Sequence, residues 1–432
     1  MKIVWSSMKL LVASFIFTSI LVAAPKATVS YYKDVEPILQ DRCQGCHRPG
    51  EIGPMPLMTY EQAKPYAKAM KASVITRKMP PWFADASVGH FANDRSLSQA
   101  EIETISAWVE AGSPAGDPKT KTAAKAFVEG WNIPKPDAVI GMAKPFPIPA
   151  GSKIDYQYII IPTGFTEDKW VNMVEARPSD RSVVHHAVIF IRDPKSKWLR
   201  EAEPLVPFVP GRTGKDRRLD VGGGGNEILH TYTPGNLPDM WKPNQAKLIP
   251  AGADLVIQMH YTSNKTDTAD LTRIGMVFAK QAPEQRIMTL IAGNDNFVIP
   301  PGDPAYKAVG TLTLPNGGTL LNFFPHMHVR GQSFEYNLVD GDKREPLLKV
   351  NKYDFNWQLT YHLVKPIELK GGEKIEITAT FDNSPNNRYN PDPTAEVRWG
   401  EQSWEEMAYG FFDIAVDARY DRRSWYQRKP LN

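Results

Sequence analysis

Two hydrophobic periodicities divide the chain. Near the N-terminal end, Val35, Ile38 and Leu39 recur at helical spacing over 34–41. Ser98-Gln99-Ala100-Glu101 reads as a capping box, followed by Ile102, Ile105, Trp108 and Val109 on one helical face, with Gly112 as the stop. From about residue 150 the helical period fades. Short apolar runs at 154–161, 183–191, 255–261, 311–324 and 374–381 alternate with turn signals, which predicts all-β sandwiches with length for two. No fixed-period repeat is present, so a propeller or solenoid is disfavoured.

The predicted fold class is therefore multidomain: a small all-α unit over 28–114, a linker over 115–148, and two antiparallel, jelly-roll-like β-sandwiches over 149–295 and 296–432. The linker rests on Ser113-Pro-Ala-Gly-Asp-Pro118 and Ile133-Pro-Lys-Pro136, which wrap or extend. Ahead of the helical unit, residues 1–24 carry Lys2 and Lys9, an apolar run over 10–22 and then Ala23-Ala24. That order predicts a bacterial-type secretory signal and a periplasmic or secreted protein. Pro25 disfavours cleavage directly before it, so cleavage near Ala23 and retention as an anchor both stay open. No later segment reaches the apolar length of a bilayer span, so no stable span is expected after cleavage.

Composition narrows the class. The 432 residues are 42% hydrophobic and 23% charged, a globular balance with room for about three domains. A net charge of +3 argues against a nucleic-acid partner. With 2 cysteines the chain has no disulfide framework. Its 37 prolines and 30 glycines favour strands and turns over a helical bundle.

Both cysteines fall in Cys43-Gln44-Gly45-Cys46-His47. In an exported chain this is the attachment signature of one covalent c-type haem: two thiols add to the haem vinyl groups and the adjoining imidazole ligates iron. A redox Cys-x-x-Cys pair has no need of His47. The helical unit thus reads as a cytochrome c domain. For the sixth ligand, Met55, Met58, Met70, Met79 and His90 lie between the helices. Met79, which opens Met79-Pro80-Pro81-Trp82 after a helical run, is the choice, with His90 its main rival. A thioether ligand raises the haem potential and closes the iron to O2.

Five of the 9 histidines, His185, His186, His260, His326 and His328, sit in or directly after strand-like runs. Burying them costs desolvation unless each gains a hydrogen bond or a metal. Alternate residues of an extended segment share a face, so His326 and His328 can grip one ion. Pro325 must then lie at an edge, a strand start or a bulge. Neighbours such as His185 and His186 point to opposite faces of a regular strand; they bind one ion only where the strand ends, twists or bulges, and otherwise are one core and one surface residue. His230 and His362 read as structural or rim residues, and the glycine run 222–225 as a loop with no phosphate-binding signature.

The order of these residues over roughly 150–425 resembles the copper type II ascorbate-dependent monooxygenases, which include the peptidylglycine- and dopamine-hydroxylating enzymes. His185-His186 resembles the family's adjacent pair, and Val256-Ile-Gln-Met-His260-Tyr261 the strand bearing the third histidine of that copper. His326-Met-His328 resembles the H-x-H of the second copper, and Glu405-Glu-Met407 the segment supplying its thioether. The resemblance implies two coppers, one per sandwich, across a solvent-filled cleft. The first relays an electron; the second, with His326, His328 and Met407 as catalytic set, uses O2 to hydroxylate a substrate C–H bond. A thioether in the set favours copper over zinc.

The departures also matter. The animal enzymes staple their sandwiches with disulfides, whereas both cysteines here are committed to haem. Phe324, Tyr409 and Phe411 stand where the peptide-hydroxylating members place the Arg, Asn and Tyr that bind a substrate carboxylate. A glycine-extended peptide is therefore not the expected substrate; a less polar small molecule in an aromatic-lined pocket is. The expected donor is ascorbate or a periplasmic redox partner, with electrons passing from haem to the His185/His186/His260 copper. Rival readings are a non-catalytic haem–copper electron carrier and a monooxygenase-like copper-storage or binding module.

Overall fold

The computed structural model describes residues 1, 29–210, 226–420 and 425. The export segment, residue 1 apart, and the glycine run 222–225 lie outside the described residues. Among the described residues no helix is long and apolar enough to cross a membrane.

Four short α-helices, α1 (Glu36–Arg42), α2 (Tyr60–Ala63), α3 (Ala67–Ile75) and α4 (Gln99–Glu110), make the N-terminal unit. The capping box of α4 forms: the Ser98 hydroxyl accepts from the Glu101 N–H, and the Glu101 carboxylate accepts from the Ser98 N–H at 2.7 Å. Trp108 of α4 is fully buried and shares a core with Tyr31, Val35, Leu39 and Met70.

The remainder is mostly β-sheet. A four-stranded sheet runs Gln157–Pro162, Asp254–Tyr261, Val184–Arg192, Glu227–Tyr232, all antiparallel. It packs one face on Ala138–Gly141, Arg273–Phe278, Lys169–Arg177 and Gln245–Ile249, around Ile159, Ile189, Ile257, Val174 and Ile274. Its other face carries Ile160, Phe190, Ile228 and Val256 against Phe324 and Phe411 of the second half. Burial on both faces explains why 183–191 is a nearly unbroken apolar run instead of an alternating one. The second sandwich packs Tyr306–Thr313, Lys374–Phe381, Gly331–Asp340 and Lys343–Val350 on Gln285–Asn294, Ala408–Asp417, Gly318–His326 and Tyr361–Leu369.

Four expectations are corrected. Gln245–Ile249 pairs in parallel with Gln285–Asn294, so a single nine-stranded sheet runs through both sandwiches and the fold is not purely antiparallel. Gln285–Asn294, inside the 149–295 unit by sequence pattern, pairs along its length with Ala408–Asp417 and buries Met288, Leu290 and Ala292 in the second core. The run 311–324 splits into Tyr306–Thr313 and Gly318–His326, because Pro315-Asn-Gly-Gly318 turns the chain between two sheets. The expected linker 115–148 contains Ala138–Gly141 and Phe146–Ile148, both paired with strands of the first sandwich region.

The helical unit is docked onto the second sandwich. Trp82 and Phe91 enter its core, with ring centroids 4.9 and 5.5 Å from Tyr361. Ala84 bridges Val350 and Phe91 bridges Leu363, so this segment clips an edge strand of each sheet. Glu51 pairs with Arg48 at 3.1 Å and with Arg181 of the first sandwich. Trp82→Ala is expected to cost about 3 kcal/mol by truncating a buried ring. An unchanged denaturant midpoint would show that Trp82 adds nothing to this docking.

Candidate metal centre

The Cys43-x-x-Cys46-His47 turn follows α1 and lines a pocket of about 250 Å3. Leu39, Leu57, Met70, Val74 and Ile105 supply apolar walls, and Met79 lines the same pocket. Both thiols are free. Burial pushes the Cys43 thiol up to about 12 and also raises Cys46, the opposite of an activated redox pair. The Nδ1 of His47 lies 3.0 Å from the Met55 carbonyl oxygen, which orients the ring and leaves Nε2 as its free nitrogen. Gly53 permits this turn: a Cβ there would stand 2.7 Å from the Cys46 oxygen and 2.8 Å from His47 Nδ1. The donors and the apolar shape fit a haem joined at Cys43 and Cys46. His90, the rival for the sixth position, is exposed and outside the pocket lining, whereas Met79 and Met70 are in it.

The strand Val184–Arg192 bulges where the adjacent-histidine argument requires. Val184 pairs with Tyr261 and His186 with His260, so His185 is the extra residue. The bulge turns both imidazoles toward His260, and ligand nitrogens of His185, His186 and His260 lie within 4.8 Å of one another. Tyr156 closes one side, its ring 4.3 Å from His260, and Phe355 the other, stacked 4.3 Å from His185.

Pro325 also behaves as its missing N–H demands. Pairing with Tyr361–Leu369 stops at Phe323, leaving Pro325 paired only to Gly410 on the opposite side. His326 ends this strand and His328 follows, with centroids 5.2 Å apart and the intervening Met327 fully buried in the core. The Nδ1 of His326 lies 2.6 Å from the Gln358 side-chain oxygen, and that of His328 3.2 Å from the Glu405 carbonyl. Each contact orients a ring so that Nε2 is the available donor. Glu406 accepts from the His328 and Arg330 backbone N–H groups at 2.9 and 2.7 Å and anchors the turn; burial still pushes its carboxyl up to about 8. Met407 is buried and lines a cavity of about 20 Å3 with His186, His326, Tyr156 and Gln358.

That cavity corrects the expectation of a solvent-filled cleft. It has room for about one water, and His186 and His326 stand 5.8 Å apart between ring centroids. The cause is the apolar layer of Phe190, Trp198, Phe324 and Phe411, which presses the four-stranded sheet onto the second sandwich. The five imidazoles form one continuous group.

Burial pushes His185 and His326 down to about 4 and His186, His260 and His328 well below the ordinary range; neighbouring imidazoles add to the effect at all but His326. The rings are neutral at pH 7, and His185 Nδ1 and His186 Nδ1 share a hydrogen bond at 3.2 Å. His185 Nε2, His260 Nδ1 and His328 Nε2 are buried without hydrogen-bond partners, a cost that a metal ion offsets. Because unfolded imidazoles titrate near about 6.5, the unfolded chain binds more protons between that pH and about 4. Metal-free protein should therefore lose stability as pH falls through this window and show no such effect above it. Equal denaturant midpoints at pH 7 and 5 would contradict this.

His230 is structural in its contacts: its Nδ1 lies 2.7 Å from Asp239, beside a 40 Å3 polar cavity with Lys247, Thr289 and Asp413. Gln358, Phe355, Tyr156 and Gly53 went unforeseen. None belongs to a period or motif, and only Phe355 and Gln358, two of the polar and aromatic residues in Tyr353-Asp-Phe-Asn-Trp-Gln358, offered a local compositional hint.

No curated protein matches the chain. Among solved structures it is similar to PNGF-II in the P21 space group, with 9% identity, a TM-score of 0.22, and 66% of this chain and 62% of that chain covered. The chain thus spans less than two thirds of that structure. PNGF-II in the C2 space group gives 8% identity, a TM-score of 0.25 and coverages of 75% and 68%. The T=1 Penaeus vannamei nodavirus gives 11%, 0.18, and 65% and 98%. At such TM-scores these likenesses establish no shared fold or function. Residues 284–411, which hold His326, His328 and Met407, match the family model "Copper type II ascorbate-dependent monooxygenase, C-terminal domain".

Proposed function

We propose that the protein is an exported monooxygenase with one c-type haem and two coppers, hydroxylating a C–H bond of a small organic substrate. The balance is RH + O2 + two electrons + two protons giving ROH + H2O. The observation that carries this reading is the convergence of three neutral, buried imidazoles, His185, His186 and His260, beside His326, His328 and Met407 in the family-matched region.

Bound copper supplies O2 reduction and one-electron storage, and bound haem supplies one-electron transfer. The chain's own residues do the rest. His185, His186 and His260 would hold one copper; His326, His328 and Met407 would hold the other. Gln358 and the Glu405 carbonyl orient His326 and His328. Tyr156, Phe355, Phe324 and Phe411 exclude water around these donors. Cys43, Cys46, His47 and Met79, which line one pocket, would hold haem. Phe324, Tyr409 and Phe411 offer no cation to a substrate carboxylate, which supports an uncharged or apolar substrate.

Metal and haem analysis of purified protein tests the reading. One haem and two coppers per chain, with label from 18O2 in product, are expected; zinc or a single copper would overturn it. The small cavity of about 20 Å3 favours a second reading, a non-catalytic haem–copper electron carrier. That reading predicts electron transfer independent of O2 and no labelled product.

A further inference from the structure

One short segment touches both candidate centres. Trp357 lines the pocket of Cys43, Cys46 and His47 although it belongs to the second sandwich, between Lys343–Val350 and Tyr361–Leu369. Two residues earlier, Phe355 stacks on His185 with centroids 4.3 Å apart and lies 6.0 Å from His260. The next residue after Trp357, Gln358, contacts His326 at 2.6 Å.

The segment is firmly held. Trp357 N–H donates to the Asp354 carbonyl at 2.9 Å, and Tyr353 N–H to Gln332 at 2.8 Å. Thr233 and Asn236 donate to the Gln358 carbonyl at 2.6 and 3.2 Å. A Cβ at Gly235 would meet the Trp357 ring at 3.3 Å and the Arg95 guanidinium at 3.2 Å, so the indole is wedged against backbone beside a second pocket-lining residue.

We propose that Phe355–Gln358 is the electron bridge of this protein, with Trp357 coupling to the haem and Phe355 to the His185/His186/His260 copper. This rests on the haem–copper reading above. Electron tunnelling weakens steeply with distance and is carried better by bonds and packed rings than by gaps. The Cα atoms of residues 355 and 357 are at most about 7 Å apart, and the bonded path between the two rings crosses two peptide units. Each transfer moves one electron, oxidising iron(II) haem to iron(III) and reducing copper(II) to copper(I), with no atom transferred. Two transfers supply one hydroxylation, and an external one-electron donor re-reduces the haem. Trp357 is a coupling residue and is itself neither oxidised nor reduced.

The test uses full-length, copper(II)-loaded protein under anaerobic conditions, with the haem photoreduced and its reoxidation followed by loss of the ferrous absorbance band. Trp357→Leu should slow reoxidation by about tenfold or more, with haem content, haem potential and copper stoichiometry unchanged. Trp357→Phe should restore most of the rate, since an aromatic ring remains. Phe355→Leu reads the copper end and should also slow the transfer, which keeps the test open if the Trp357 variants do not accumulate. Native rates in Trp357→Leu or Phe355→Leu, at full haem and copper content, would overturn the bridge alone. Native protein without haem or copper would overturn the underlying reading and the bridge with it.

Discussion

His260→Ala should strip copper from the His185/His186/His260 centre and, on the proposed monooxygenase reading, abolish product formation. His260 sits directly opposite His186 in the strand register, and its Nδ1 is buried with no hydrogen-bond partner. Removing groups that merely orient a ligand costs about 10–100-fold in metal affinity, so losing a ligand in a three-imidazole set should cost more than that. Alanine also leaves a space beside Tyr156, whose ring is 4.3 Å away. Copper per chain by elemental analysis, together with the copper(II) paramagnetic signal, checks the outcome while circular dichroism reports the fold. Retention of the native copper content and affinity would remove His260 from the site.

The second large effect is expected from the double variant Cys43→Ala, Cys46→Ala. On the proposed reading the haem then lacks its covalent anchor, so haem should no longer travel with the denatured polypeptide. The pocket left behind is about 250 Å3 and largely apolar-walled. At roughly 24 cal/mol per Å3 of unfilled volume, the cost has a ceiling of about 6 kcal/mol, comparable to the whole stability of a small domain. The pocket-forming helices, over 36–75 and 99–110, should become protease-sensitive while the sandwiches, with Trp82 and Phe91 in the second core, persist. Turnover should fall away with a donor that reduces haem and survive with one that reduces copper directly. Full turnover with the haem-reducing donor would exclude the haem from the electron route.

How much could be seen in advance varied with the range of the interaction. The α4 cap, the spacing of Cys43, Cys46 and His47, and the alternation of His326 and His328 obey rules spanning a few residues; the cap forms as read, and the His326 and His328 rings lie 5.2 Å apart. The His185-His186 pair posed a conditional, and the bulge at His185 answers it. Hidden from any local pattern were Gln358 beside His326, Phe355 on His185 and Trp357 in the cysteine pocket. These lie in one turn-rich stretch whose partners come from three parts of the chain. The docking of Trp82 and Phe91 was equally hidden, because an aromatic in a proline-rich segment reads the same whether it covers its own unit or another.

The sequence by itself determined the chemical vocabulary: two thiols and an imidazole fit for haem, five imidazoles and a thioether fit for copper, and strands with enough apolar residues to bury them. Covalent spacing and the two-residue period of strands are local, so they can be read directly. Only the tertiary structure decided that the five imidazoles form one closed group, that one sheet passes through both sandwiches, and that the helical unit is clamped to the second. Those outcomes depend on which sheet faces meet and how closely large side chains let them approach. The layer of Phe190, Phe324 and Phe411 sets that distance, and no periodicity along the chain records it.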